Sequence, residues 1–486
     1  MKYDVVVIGS GLGGLVCASL LSREGMRVLV LERQSQSGGC LQSYRRHGFA
    51  FDTGFHYVGG LAEGQRMHRI FSYLGLMQLP WHRLDADGFD RVTIGNHTYC
   101  FAEGYPAFVN TMAGYFPHER RAIEEYAVML QRIAGEPVQS HGMYRLFGSS
   151  AYQYLRATFR DPLLINVLSG TSMKLELCHE SLPLFTFAHT FSSYISSSWR
   201  LRGSGSLIVD TLSDSIRLTG GNVICGVEAE QLIERDGIIA AVRCNNGEVY
   251  EARTVISDIH PALTLSMLKD PKMLKSVFYR RIQALQNTFG MFTVSLLVKP
   301  MTLPYFNHNK YVYRKANVWT FHTDVDSVGG VLVSCRLPED GSRFTRQIDI
   351  LTPMPWTFCQ QWEHTSIGHR GEAYELMKKR LADECISLAE QVIPGLHGII
   401  ERQHTSTPLT WRDYNHTPCG SAFGVRKDCR NLVMTMLSPR TPIPNLLLTG
   451  QNLMLHGVEG VTMTALMTCG ELTGKDYFKT ILDCKR

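Results

Sequence analysis

A glycine-rich turn within the first fourteen residues constrains this chain more than any other feature. Asp4-Val5-Val6-Val7-Ile8 is an apolar, β-branched run of the kind buried on both faces of a parallel sheet. Gly9-Ser10-Gly11-Leu12-Gly13-Gly14 follows at once, Leu15 to Glu24 reads as a helix, and Arg27 to Leu31 is a second apolar run ending at Glu32. The acid stands 18 residues beyond Gly14. Strand, glycine turn, helix, strand and acid in this order make a dinucleotide-binding unit. Gly9 permits the tight turn, Gly11 lets the backbone approach a pyrophosphate, and Gly14 lets helix and strand pack closely. Leu12 and Gly13 belong to the same cofactor-binding turn, where unpaired N–H groups at a helix N-terminus favour an anion. Glu32 is placed to accept from ribose hydroxyls, and Arg33 beside it joins the expected binding set. The motif leaves FAD and NAD open.

The next segment separates them. Ser37-Gly38-Gly39-Cys40 is followed by Tyr44 to Tyr57, which ends Phe51-Asp52-Thr53-Gly54-Phe55-His56-Tyr57. This stretch resembles the FAD-dependent group of phytoene desaturases, carotenoid isomerases and retinol saturases, with the saturase branch most similar. The phosphate turn, Glu32, Gly38-Gly39 and the C-terminal glycines together predict tightly bound FAD, with Gly38, Gly39 and Cys40 in its site; attachment is expected to be non-covalent, with Cys40 and His56 the residues able to bond to the ring. Many relatives carry Arg where Cys40 stands, so a flavin contact from that arginine does not carry over.

The C-terminus extends the resemblance. Pro442 to Leu448 reads as a short buried strand, Thr449-Gly450-Gln451 as a turn, and Val461 onward as a helix. Gly450, Gln451, Gly457, Gly460 and Val461 are the matching cofactor-binding positions. Gln451 replaces the acid that many members place after the first glycine. The helix N-terminus aimed at a reduced flavin would stabilise its negative charge, with Gly460 allowing close approach.

The implied fold is α/β: a Rossmann-like, three-layer FAD-binding domain, discontinuous in sequence, with an α+β substrate-binding domain over the flavin. Residues 1–75, 195–275 and 440–486 are assigned to the first, and 76–194 and 276–439 to the second. A helix from Gly203-Ser204-Gly205 to about Leu218 precedes strands Val223–Ile233, Ile238–Cys244 and Val249–Ile256, joined by Asp-Gly and Asn-Gly turns. By resemblance, Val227 lies beside the adenine. In the second domain the pattern predicts helices over Pro117–Ile133, Ala151–Leu168 (kinked at Pro162) and Gly371–Val392. Strands are predicted over Phe289–Val298, Tyr311–Thr320 and Val331–Arg336. Its many aromatic residues suit a long apolar tunnel.

The expected function is flavin-dependent oxidoreduction at a carbon–carbon double bond of a lipophilic polyene or isoprenoid-like molecule, with saturation first. Desaturation or cis–trans isomerisation is the alternative, an amine or porphyrinogen oxidase the second alternative, and a lipid-binding protein on a flavoprotein fold the non-enzymatic rival. Saturation needs a proton beside the hydride, and His56, Tyr57 and Tyr414 are the catalytic candidates, with His456 behind them. Asp52 is expected to hold its loop through backbone N–H bonds. The electron donor is open between a transiently bound NAD(P)H and a partner protein.

Composition enters through what it excludes. Lys+Arg 49 against Asp+Glu 44 gives +5, spread along the chain, so no nucleic-acid partner is expected. Thirteen cysteines without metal-ligand spacing, and only three residues before the first strand, lead to the expectation of a cytoplasmic protein with reduced thiols and no metal. A polyene-handling chain without a spanning helix is expected to touch a membrane peripherally. Ala151 to Leu168, with Tyr152, Tyr154, Leu155, Phe159, Leu163 and Leu164 beside Arg156 and Arg160, is the expected lip.

Overall fold

Residue Val5 and its neighbours Val6 and Val7 are almost wholly buried, and the strand that they lie in, Lys2–Ile8, occupies the middle of a seven-stranded sheet. The computed structural model describes residues 2–135, 146–269, 273–323 and 327–483. Strands Asn222–Cys225, Val28–Glu32, Lys2–Ile8 and Val249–Ser257 run parallel in that order. The last of them forks. Its end pairs in parallel with Leu446–Leu448, and its start pairs antiparallel with Ile238–Cys244, which in turn pairs with Ala229–Arg235. Helices Leu12–Arg23, Ser206–Leu218 and Gly457–Thr473 share a core with one face of the sheet through Leu15, Leu212 and Leu466 against Val5, Val30 and Ile256. Val6, Leu29 and Leu31 bury their side chains on the other face with Leu232, Ile239 and Val242 of the meander. Alternation along each strand thus gives three layers.

Two boundaries differ from the sequence reading. The predicted strand Val223–Ile233 is two strands, Asn222–Cys225 and Ala229–Arg235, because their partners lie on opposite sides of the sheet. Gly226, at φ +77°, makes the break. The last helix begins at Gly457, four residues before the expected Val461.

A second seven-stranded sheet carries Ile400–Ser406, Gly290–Val298, Gln347–Met354, Gly330–Cys335, Asn309–Tyr313, Asp90–Ile94 and His97–Phe101 in that order. All neighbours are antiparallel except Asn309–Tyr313 with Asp90–Ile94. Phe292, Val294 and Val312 face helix Glu372–Ala389. Met291, Tyr311 and Tyr313 face a helical cap that includes Tyr105–Tyr115, Arg120–Gly135 and Leu184–Ser196. The predicted strand Tyr311–Thr320 ends at Tyr313, and the predicted helix Gly371–Val392 ends at Ala389.

The expected membrane lip is overturned. Ala151 to Leu168 is two helices, Ala151–Thr158 and Pro162–Leu168, and Asp161 caps the second by accepting from the Leu163 N–H at 2.8 Å. Glu119 accepts the N–H groups of Arg160 and Asp161 between them, at 2.6 and 2.7 Å. Leu155, Phe159 and Leu164 are buried in the cap, and Tyr152, Tyr154 and Leu163 pack against it. Once the chain breaks at Pro162, the apolar residues of both pieces turn inward and leave no exposed apolar face there. Among the described residues no helix is long and apolar enough to cross a membrane.

Candidate functional site

The glycine turn, the parallel strand ends and the helical cap enclose a cavity of about 630 Å³. Of the residues singled out from sequence, Gly9, Gly11, Leu12, Gly13, Glu32, Arg33, Gly38, Gly39, Cys40, His56, Tyr57, Val227, Tyr414, Gln451, His456, Gly457 and Val461 line it. They arrive from both ends and the middle of the chain because the open ends of the parallel strands converge there.

At one end the cavity has the chemistry of a ribose-pyrophosphate site. Glu32 accepts from the Ser10 N–H (3.1 Å), the Ser10 hydroxyl (2.6 Å) and the Gln34 N–H (2.8 Å), which fixes its carboxylate at the end of its strand. Gly38 donates its N–H to the carbonyl of Ser10 and stands at φ +122°, followed by Gly39 at +53°. A side chain at Gly39 would press on the Cα of Gly11. Val227 donates its N–H to the carbonyl of Glu32 at 2.9 Å, which leaves its own carbonyl as the backbone group to offer. Arg33 reaches across to the carbonyl of Asp413 at 2.6 Å and ties the two lobes together here. Burial pushes the Cys40 thiol up to about 12, with Asp258 adding to it, so it is a neutral thiol and a poor nucleophile toward a flavin ring.

Gly14, Gly450 and Gly460 do not line the cavity, and the last two serve different ends from those expected. A side chain at Gly14 would collide with the carbonyl of Gly9, as helix–strand packing requires, but one at Gly460 would meet the backbone of Leu455. Gly460 therefore seats its helix on the preceding loop and brings no backbone toward a flavin. At Gly450, φ +88°, a side chain would collide with the carboxylate of Asp258. The same carboxylate would block a side chain at Gly11, at 2.5 Å, and at Gly13.

Asp258 has no role in the sequence reading, which ends its strand at Ile256. The strand Val249–Ser257 delivers its carboxyl into the middle of Gly11, Gly13 and Gly450. Burial pushes that carboxyl up to about 7; a backbone N–H from Gly14 opposes the shift and Glu32 adds to it. A folded pKa above the unfolded value means the native state holds an extra proton between pH 3.8 and about 7. Native stability, and tolerance of an anion in the glycine turn, both fall as pH rises through that window. Wild-type protein is therefore expected to release flavin more readily as pH rises from about 6 to about 8, and Asp258→Asn to flatten the difference. Equilibrium dialysis at the two pH values checks this.

The opposite end is apolar and aromatic, with Met173, Met291, Leu332, Leu351, Tyr194 and Phe423 in its wall. His56 lines the middle. Burial pulls its imidazole down to about 4, against the pull of Asp349, and its Nε2 has no hydrogen-bond partner. His456 is also held near 4 by burial and donates Nε2–H to the carbonyl of Lys174 at 2.7 Å. Both are neutral at neutral pH. Tyr57 is buried and donates its hydroxyl to Asp90 at 2.7 Å, with the Tyr311 hydroxyl 2.7 Å away. The Asp52 carboxylate accepts one backbone N–H, that of Gly205 at 2.9 Å, and pairs with Arg336 at 2.5 Å, so it ties its loop to other segments and makes no bond to the backbone of the loop itself among the described residues.

Tyr414 is corrected. Its carbonyl accepts from the Gln34 side chain and the residue is 47% exposed, which puts it at the ribose end beside Arg33, away from Tyr57. Lys174 was missed, although it is the only Lys or Arg between Arg160 and Arg200, an isolation that could have drawn attention to it. No group of three or more potential metal ligands occurs among the described residues.

These residues fit a flavin dinucleotide. Gly9 to Gly14 and the helix after them would hold its pyrophosphate and Glu32 its ribose, and His56, whose buried Nε2 has no partner, lines the same cavity. Comparison with known proteins agrees. Residues 7–74 match the family model of the NAD(P)-binding Rossmann-like domain. The chain is 26% identical to all-trans-retinol 13,14-reductase of Rattus norvegicus over 99% of this chain and 87% of that protein. It is 22% identical to prolycopene isomerase 1 of an Oncidium hybrid cultivar over 85% of this chain and 74% of that one. The solved structure of wild-type putrescine oxidase bound to putrescine superposes with a TM-score of 0.69 at 15% identity, covering 98% of this chain and 100% of that one. At that identity it shows the fold alone. The likeness carried by Gly38-Gly39, Phe51 to Tyr57 and the C-terminal glycines thus extends along nearly the whole chain, which is similar to the retinol saturase and carotenoid isomerase group of proteins.

Proposed function

We propose that this protein is a flavin-dependent oxidoreductase acting on a carbon–carbon double bond of a lipophilic polyene, with saturation as its direction. Residues 1–75, 195–275 and 440–486 form its dinucleotide lobe, and 76–194 and 276–439 its substrate lobe. The observation that carries the reading is one cavity running from the glycine turn to a wall of Met173, Met291, Leu332, Leu351 and Phe423. A long apolar molecule buries its length against such a wall. Bound in the glycine turn, a flavin supplies reversible two-electron hydride chemistry. Gly9 to Gly14, Glu32, Gly38, Gly39 and Val227 would hold it, Gln451, Gly457 and Val461 would line its site, and His56 would stand in the same cavity as a neutral hydrogen-bonding group. The wall excludes water, which strengthens polar contacts made inside it.

An amine oxidase reading draws only on the shared fold.

The test is anaerobic photoreduction of the purified holoprotein followed by mixing with candidate polyenes. Photoreduction supplies electrons whatever the natural donor. Reoxidation by a polyene with loss of one double bond is the expected result. Bleaching of the oxidised enzyme by a saturated analogue would reverse the proposed direction, and a change of geometry without net redox would make it an isomerase. Protein that takes up no flavin would favour a lipid carrier.

A further inference from the structure

Two buried lysines face this region, and their surroundings differ. Lys427 donates to the carbonyls of Thr435 (3.1 Å), Asn452 (2.7 Å) and Leu453 (3.0 Å), so all three of its N–H bonds have oxygen partners. It pins the loop after Gln451 and has nothing left to give. Lys174 donates to one oxygen only among the described residues, Asp90 Oδ2 at 2.9 Å. Its Nζ otherwise meets ring faces: Tyr194 at 3.8 Å, Tyr57 at 4.9 Å, Phe191 at 5.7 Å and Tyr311 at 5.9 Å from the centroids. Lys174, Tyr57 and Tyr194 all line the cavity, at its apolar end.

Asp90 is itself held on every side. It is 0% exposed and accepts from Lys174 and Tyr57 on one oxygen and from Asn309 Nδ2, at 2.9 Å, on the other. Arg200 fixes the Asn309 amide at 2.8 Å. The charge-bearing and titratable groups around the ammonium are therefore Asp90, Tyr57, Tyr194 and Tyr311, while His456 is bonded to the Lys174 carbonyl. A cation kept beside a carboxylate, with N–H bonds lacking oxygen partners and an apolar cavity before it, is a loaded acid.

We propose that Lys174 is the proton donor of the reaction, with Asp90 as its counter-ion, Tyr57 as a positioning residue that holds Asp90, and Tyr311 as one that holds Tyr57. The proposal rests on the polyene reading above. When a hydride donor, the reduced flavin, delivers H⁻ to one carbon of the double bond, the π pair moves to the neighbouring carbon. That carbon takes H⁺ from the Lys174 ammonium. The π bond, the donor's bond to the hydride and one lysine N–H bond break, and two C–H bonds form. The hydride donor is left oxidised by two electrons, and the lysine is left a neutral amine that water reprotonates once the product leaves the cavity. The alternatives along the wall are ill suited: His56 and His456 are neutral, Tyr57 has given its O–H to Asp90, and Tyr414 lies at the far end. Burial pulls the ammonium pKa down while Asp90 pulls it back up, which brings the acid toward the range where it transfers a proton readily.

Lys174→Arg is the deciding variant. A guanidinium keeps the charge and the Asp90 pair but does not deprotonate, so the fold is retained and the acid is lost. Holoenzymes of wild type, Lys174→Arg and Lys174→Met are photoreduced and mixed with a polyene that reoxidises the wild type. Flavin content, the thermal midpoint and polyene affinity, read from fluorescence quenching, serve as controls. Lys174→Arg should match the wild type in these, while its reoxidation rate falls by roughly 10²-fold or more and loses the wild-type solvent isotope effect and pH profile. Wild-type rate and isotope effect in Lys174→Arg would overturn the proposal alone. Loss of flavin or polyene binding in both variants would make Lys174 a structural residue and overturn it too. A reduced wild type that no polyene reoxidises would overturn the functional reading and this proposal together.

Discussion

Gly14→Val is expected to yield protein without flavin. Any side chain at this position would collide with the backbone carbonyl of Gly9 and press within 3.2 Å of Val7 and of the Asp258 side chain. Helix Leu12–Arg23 must then move off strand Lys2–Ile8, and overpacking of this kind costs about 1–3 kcal/mol or more in stability. The larger effect is on the cofactor, since the displaced helix no longer presents its N-terminal N–H groups to the pyrophosphate. Gly11→Asp should act alike, by driving a second carboxylate into Asp258. Gly114→Ala is the control: Gly114 lies in helix Tyr105–Tyr115 with open space around its Cβ position and should keep its colour. Flavin released on denaturation, per mole of protein, is the measurement. Full occupancy in Gly14→Val would place the cofactor elsewhere.

Asp90→Ala is expected to be the most destabilising substitution in the substrate lobe. It leaves the Lys174 ammonium, the Tyr57 hydroxyl and the Asn309 amide without their acceptor, at a position that is itself 0% exposed. Removing one partner of a buried ion pair costs about 3–5 kcal/mol because the other charge stays buried and uncompensated. Asp90→Asn keeps an acceptor oxygen and should lose less. In the double variant Asp90→Ala with Lys174→Met the stranded charge is gone, so the loss should be smaller than the sum of the two single losses. Urea midpoints of the four proteins measure that coupling. Strict additivity would mean that the pair acts independently and that the two groups do not hold one another.

The N-terminal unit could be read from the chain because its parts lie close in sequence. Strand, turn, helix and acid run from Asp4 to Glu32, and each residue type is demanded by a backbone event within that span. The C-terminal glycines and the Phe51 to Tyr57 stretch were legible by resemblance, and the cavity gathers Gly457 and the run from Gly54 to Tyr57. Roles were harder to read than membership. Gly450 and Gly460 are glycines for reasons set by Asp258 and Leu455, and neither neighbour is marked by any local pattern. Tyr414 looked like an acid near a flavin, but the chain delivers it to the ribose end through the contact of its carbonyl with Gln34. The helix read as a membrane lip failed for a related cause. An apolar residue facing a membrane and one facing a core look the same in sequence, and Phe159 and Leu164 face a core.

What the sequence by itself determined is the dinucleotide lobe: the order of its strands and turns, the glycines that the turn needs, Glu32 at the strand end, and the hairpins of the meander. These depend on backbone conformation and short spacing, which local residues dictate. Only the tertiary structure decided the chemistry around the cavity. Asp258 meets Gly11 and Gly450, and Lys174 meets Asp90, Tyr57 and Tyr311, across four separate elements. A buried carboxylate or ammonium takes its charge and its reach from partners distant in sequence. No local pattern encodes those partners, and they come together only when the two sheets close around the same space.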